Sequence, residues 1–180
     1  MNEGLIAARY AKALFEFAQK ERQPDNVYQE AENVLNVFAA TKPLQQAFTN
    51  PSVSRAEKQK LLVTCAGAQP SKVFARFVEL ILDKKRENQF RVIMLKFTDL
   101  YREKFNIRCA QLTTAAKIDS AIENRITALL QNRLGGTIKV QQNIDKNLIG
   151  GFVLDVDSNR WDASVSGQLR KIKKELLAKK

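Results

Sequence analysis

The chain has 180 residues, 44% of them hydrophobic, with 7 Gly and 4 Pro, which is enough apolar material for one good core or two small ones and excludes disorder over most of its length. It carries no histidine, so the commonest general base and the commonest zinc ligand are missing, and every Ser-His or Cys-His arrangement is ruled out. The formal charge of +11, spread over both halves, points to an acidic partner or an anionic surface without by itself specifying nucleic acid.

From the N-terminus, apolar residues recur at spacings of three and four between clear stop signals, predicting helices over 3–20, 26–41, 43–49, 55–66, 72–86 and 89–105. The stops are Gln23-Pro24-Asp25, Lys42-Pro43, Asn50-Pro51, Gly67 with Pro70, and Glu87-Asn88. Ser54 with Glu57 reads as a capping box, and Ser71 as the cap of the fifth helix. Short loops imply a compact antiparallel bundle.

After Asn106 the period changes, and 107–113 suits an extended strand. An amphipathic helix follows, opening near Asp119 or Ser120 and stopping at Gly135-Gly136, with Ile122, Ile126, Leu129 and Leu130 as its expected inner face. Strands are expected at 137–144, where Ile138, Val140, Gln142 and Ile144 share a face, at 151–156, and as a short edge around Arg160-Trp161. Ser164 opens a last helix with Val165, Leu169, Ile172 and Leu176 on one stripe, expected to pack on the small sheet, and Arg170, Lys171, Lys173 and Lys174 outside. The fold class is therefore mainly α: a bundle of about six helices over 1–105, followed by a small α+β domain over 106–180.

Cys65 and Cys109 each sit in an apolar stretch and read as buried free thiols of a reducing compartment. No apolar run approaches the roughly 18 residues of a membrane span, and Met1-Asn2-Glu3-Gly4 lacks the layout of a secretory signal, so a soluble cytoplasmic protein is expected.

Two helices are apolar too far round. In the first, Ile6, Ala7, Ala8, Tyr10, Ala11, Ala13, Leu14, Phe15, Phe17 and Ala18 span roughly 220° of arc, where one packing face needs only about 100°. The fifth behaves alike through Val73, Phe74, Ala75, Phe77, Val78, Leu80, Ile81 and Leu82. Either both helices are central in the bundle, or their surplus edges form a groove for a partner's amphipathic helix. The sixth helix, with Phe90, Ile93, Met94, Phe97, Leu100 and Tyr101, is one-sided and needs only its own bundle.

No catalytic, cofactor-binding or metal site emerges. Gly135-Gly136 and Gly150-Gly151 lack the Gly-Lys-Ser/Thr ending of a phosphate-binding loop. Asp155, Asp157 and Asp162 lie close in sequence but read as turn residues, and Ser164 as a helix cap. The basic last helix suggests nucleic acid as an alternative partner, but no aromatic platform or known motif accompanies it, so nucleic acid is not the expected partner. Anionic lipid is a further alternative, set aside because the small sheet needs the same apolar stripe.

Two stretches carry a resemblance. The opening Ala8-Arg9-Tyr10-Ala11-Lys12-Ala13-Leu14-Phe15-Glu16-Phe17-Ala18 resembles the first helix of F-type ATP synthase delta subunits. The end, Ile144-Asp145-Lys146-Asn147-Leu148-Ile149-Gly150-Gly151-Phe152-Val153-Leu154 followed by Asp162-Ala163-Ser164-Val165-Ser166-Gly167-Gln168-Leu169, resembles that family's C-terminal signature. The chain departs from many members at Val156-Asp157-Ser158, at Ala163 and at Trp161. The resemblance implies a non-catalytic stator subunit without cofactor, present once in a hetero-oligomeric complex at the cytoplasmic face of a bacterial plasma membrane. It also implies an N-terminal domain that binds N-terminal segments of alpha subunits between its first and fifth helices, and a C-terminal domain that meets the b subunits. Tyr10, Ala11, Leu14, Phe77, Val78 and Ile81 are the expected lining of that groove.

Overall fold

A computed structural model describes residues 3–67, 69–156 and 159–178. The chain divides into two compact units, Met1–Lys104 and Phe105–Lys180.

In the first unit two serine caps fix where helices begin. The Ser54 hydroxyl accepts from the Glu57 N–H at 3.3 Å while the Glu57 carboxylate accepts from the Ser54 N–H at 3.0 Å, so α4 (Arg55–Ala66) starts where the capping box placed it. Ser71 caps α5 (Lys72–Asp83) by accepting from the Phe74 N–H at 3.1 Å. Its own hydroxyl and N–H donate to the buried Glu30 carboxylate on α2 (Pro24–Ala40), so the start of α5 is tied to a second helix. With α1 (Glu3–Lys20), α3 (Lys42–Thr49), a 3-10 turn at Glu87–Gln89 and α6 (Phe90–Lys104), these helices form the expected bundle.

α6 packs against both α1 and α2. Its buried side is Phe90, Ile93, Met94, Phe97 and Tyr101, the one-sided pattern expected, although Val92 and Leu95 stay exposed. Phe90 meets Phe38 of α2 and Phe48 of α3 edge-on, and Tyr101 stacks on Tyr28 of α2 at 4.1 Å between ring centres.

In the second unit the sheet order is β2-β1-β3-β4, from β1 (Ile107–Thr114), β2 (Thr137–Ile144), β3 (Phe152–Val156) and β4 (Asn159–Asp162). β1 and β2 are parallel and joined by α7 (Ser120–Leu134), while the other two pairings are antiparallel, with Leu112 opposite Leu154 and Leu154 opposite Trp161. The core is Ala110, Leu112, Leu130, Ile138, Leu154 and Val156, with Ile118, Ile126, Leu134 and Val140 against it.

Three expectations about packing are corrected. The inner face of α7 is Ile126, Leu130 and Leu134, whereas Ile122 and Leu129 are exposed, because α7 presents a narrower stripe to the sheet than its sequence suggested. The stripe of α8 (Val165–Ala178) is not packed on the sheet: Leu169, Ile172 and Leu176 are all more than half exposed. Cys65 and Cys109 are free thiols as expected but only partly buried.

Candidate functional site

The core face of α1 is Ala7, Ala11, Leu14, Phe15 and Ala18, all buried in the bundle. At 100° per residue, Ala8, Lys12, Phe15 and Gln19 lie toward α6, where they line a valley with Lys96, Asp99, Leu100 and Glu103. Ile6, Tyr10, Ala13 and Phe17 form a second stripe on the opposite edge, about 110° from the core direction. These four are half-buried or exposed.

α5 behaves differently. Val73, Phe74, Phe77, Val78, Ile81 and Leu82 are all buried, and only Leu80 and Ala75 retain exposed surface. The reason is neighbours on several sides, since α5 touches α1, α2 and α4. Of the six groove residues expected from sequence, Ala11, Leu14, Phe77, Val78 and Ile81 thus lie beneath the surface, and Tyr10 alone is open to a partner. The surplus apolar surface is real on α1, shifted to Ile6, Tyr10, Ala13 and Phe17, and nearly absent on α5.

The second unit holds a site the sequence reading missed. α7 covers only part of one sheet face, leaving a trough of about 320 Å³ lined by Ile126, Leu129, Leu130 and Leu134 on one side and Phe152, Leu154 and Trp161 on the other, with Arg133 at its rim. The signal was present in β4: Trp161 pairs with the core residue Leu154 and so points to the core-facing side, on a four-residue strand that is otherwise polar.

The C-terminal signature residues turn out to be architectural. Ser164 accepts from the Gly167 N–H at 3.0 Å and thereby caps α8, while Asp162 accepts from the Ser164 N–H at 2.9 Å and from its hydroxyl. Those bonds hold the Asp162 carboxyl below the usual carboxylate range. A Cβ on Gly167 would stand 2.7 Å from that carboxylate, so a side chain there would crowd the acceptor that holds Ser164. Gly151 has φ +76°, and a Cβ there would meet the Ala163 carbonyl at 2.3 Å. The Val165 N–H donates to the Gly150 carbonyl and the Ala163 N–H to the Phe152 carbonyl, locking the start of β3 against the start of α8. Asp155 faces Arg160 at 3.7 Å on the surface; Asp157 lies outside the described residues. Among the described residues no group of His, Cys, Asp or Glu is placed to hold a metal ion, and no helix is long and apolar enough to cross a membrane.

A family model described as the ATP synthase delta (OSCP) subunit matches residues 6–176. The chain belongs to this family. Similar proteins include the ATP synthase subunit delta of Phocaeicola vulgatus, 36% identical over 98% of this chain and 96% of that one, and that of Desulforamulus reducens, 31% identical over 99% of each. Among solved structures, a chain of the Toxoplasma gondii mitochondrial ATP synthase hexamer matches with a TM-score of 0.69 at 26% identity, covering 98% of both chains. As a delta-family member the chain is a non-catalytic subunit of ATP synthase. In this chain Gly150, Gly151, Asp162, Ser164 and Gly167 interlock the start of β3 with the start of α8.

Proposed function

We propose that the protein is a stator component of an F-type, proton-translocating ATP synthase, tying the catalytic head to the peripheral stalk and resisting rotor torque at the cytoplasmic face of a bacterial plasma membrane. In this reading the first unit holds N-terminal segments of the alpha subunits and the second meets the b subunits.

The observation that carries the reading is the uncovered edge of α1. A bundle that encloses Ala7, Ala11, Leu14, Phe15 and Ala18 nevertheless leaves Ile6, Tyr10, Ala13 and Phe17 open at helical spacing, which suits an amphipathic helix laid alongside. Ala11, Leu14, Phe77, Val78 and Ile81 serve from beneath by fixing the two helices, and Tyr10 makes direct contact. The trough between α7 and β3–β4 offers the second unit a comparable seat for a stalk helix. A static role needs affinity from buried area and preorganisation, and the spread positive charge helps encounter and register.

Pull-down of the tagged full chain from a bacterial membrane extract, read by mass spectrometry, tests the assignment. Recovery of alpha and b subunits is the expected result. Recovery of neither, with tight and steeply salt-dependent retention of DNA or RNA instead, would replace this reading by the nucleic-acid one.

A further inference from the structure

The last helix combines an apolar stripe with a dense set of cations. Val165, Leu169, Ile172 and Leu176 fall at i, i+4, i+7 and i+11 on α8, and each is between 39% and 68% exposed. The small sheet, expected to cover this stripe, leaves it open. The polar surface of α8 is strongly basic, with Arg170, Lys171, Lys173 and Lys174 all exposed and Glu175 the single acid between 165 and 178.

Each class of occupant makes a different demand. A second copy of the chain would bring two sets of cations together. Nucleic acid would use the cations and leave the stripe in water. A partner helix lying along the stripe reaches its flank at Lys173, about 70° from the centre of the stripe. Arg170 and Lys171, each about 130° from that centre, and Lys174, about 170° from it, lie beyond its reach but within the field of an extended negative surface. An anionic bilayer surface meets both requirements, since the stripe can enter the boundary between headgroups and acyl chains while the cations remain among the headgroups.

We propose that α8 of the unassembled protein lies in the plane of an anionic lipid surface. A stripe of this size is a weak membrane signal by itself, as is a cluster of cations, and reversible attachment follows from the two together. Each cation near such a surface strengthens binding by roughly fivefold.

Sedimentation of the full chain with phosphatidylcholine vesicles, and with vesicles containing equal phosphatidylcholine and phosphatidylglycerol, provides the test. Binding to the anionic vesicles is expected to exceed binding to the neutral ones by about two powers of ten, and to weaken in high salt. Ile172→Glu should lower it by more than about tenfold, because it removes apolar area as well as adding a negative charge. Gln141→Glu makes the same charge change at an exposed position of β2 and should cost no more than about fivefold. Both sites are exposed, and far-UV circular dichroism confirms that each variant is folded. Equal losses in the two variants would show that general charge holds the vesicles, and absence of binding to anionic vesicles would leave α8 to an acidic protein partner. Either result overturns the proposal.

Discussion

Ala11 and Ala13 are two residues apart on one helix, and opposite outcomes are expected when each becomes glutamate. Ala11 is 2% exposed, on the face of α1 that also buries Ala7, Leu14 and Ala18. A carboxylate there must displace α1 from its neighbours or lose its water, at about 3–5 kcal/mol against the ~5–15 kcal/mol that holds a domain together. Urea denaturation of Ala11→Glu should show a first unit that is largely unfolded or shifted far down in midpoint. Ala13 is exposed, so glutamate costs the helix only a few tenths of a kcal/mol. Against a docked partner the same carboxylate would be dehydrated without a counter-charge, costing about 2–3 kcal/mol, or roughly 30- to 150-fold in Kd. Calorimetric titration with a peptide from the N-terminal segment of the alpha subunit reads this directly. Unchanged affinity in Ala13→Glu would show that the Ile6–Tyr10–Ala13–Phe17 edge is not the seat of the partner. Native stability together with lost affinity in Ala11→Glu would show instead that Ala11 lies in the groove and not in the core.

Burial pushes the Glu30 carboxyl above the usual carboxylate range, with partial relief from the two donors of Ser71. A raised carboxyl pKa favours the protonated folded state, so its contribution is present at low pH and is lost as pH rises from about 4 through the raised value. The stability of Glu30→Gln relative to the parent should therefore increase over that interval in urea titrations at stepped pH, and a flat difference would contradict it. Gly151→Ala forces a side chain at φ +76° into the Ala163 carbonyl and should lose about 2–4 kcal/mol, seen as a lower unfolding midpoint followed by Trp161 fluorescence. Gly167→Ala crowds the Asp162 carboxylate and should loosen the cap of α8, costing about 1 kcal/mol on the same readout. Trp161, the single tryptophan, borders the trough, and its emission should shift to the blue when a b-subunit segment binds there; an unchanged spectrum on saturation would place the segment elsewhere.

How much was legible depended on how local the determining interaction is. The caps at Ser54 and Ser71 were readable because a side chain bonding to a backbone three residues away leaves its pattern in the sequence. The end of α1 was placed at Lys20 as expected, whereas α5 stops at Asp83, three residues short of the expected 86. Each closes with a non-glycine residue in the left-handed region, Arg22 and Lys85, and with Gln23 N–H to Ala18 carbonyl and Arg86 N–H to Ile81 carbonyl bonds that no Gly announced. The wide arcs were read correctly as arcs, but their fate depended on the number of neighbours, which is tertiary information. α5 spends its arc on α1, α2 and α4, whereas α1 has one edge left over. The stripes of α7 and α8 look equally suited to a sheet, yet Leu130 is enclosed and Leu169 is not.

That contrast explains why family membership was easier to see than the partner surfaces. Gly151 and Gly167 occupy places where one added carbon would collide with a backbone carbonyl or a carboxylate, and Ser164 with Asp162 forms a cap that few other residue pairs can make. Such positions admit almost no alternatives, so they spell a recognisable string. A docking edge obeys a looser rule: Ile6, Tyr10, Ala13 and Phe17 need only be apolar and properly spaced, and many other sets would serve. The strict positions therefore identify the architecture, and the permissive ones adapt the chain to its partners. It follows that Gly151→Ala and Gly167→Ala should lower the stability of the second unit and leave the α1 edge untouched, while conservative swaps along that edge, such as Phe17→Leu, should tune affinity with the fold intact.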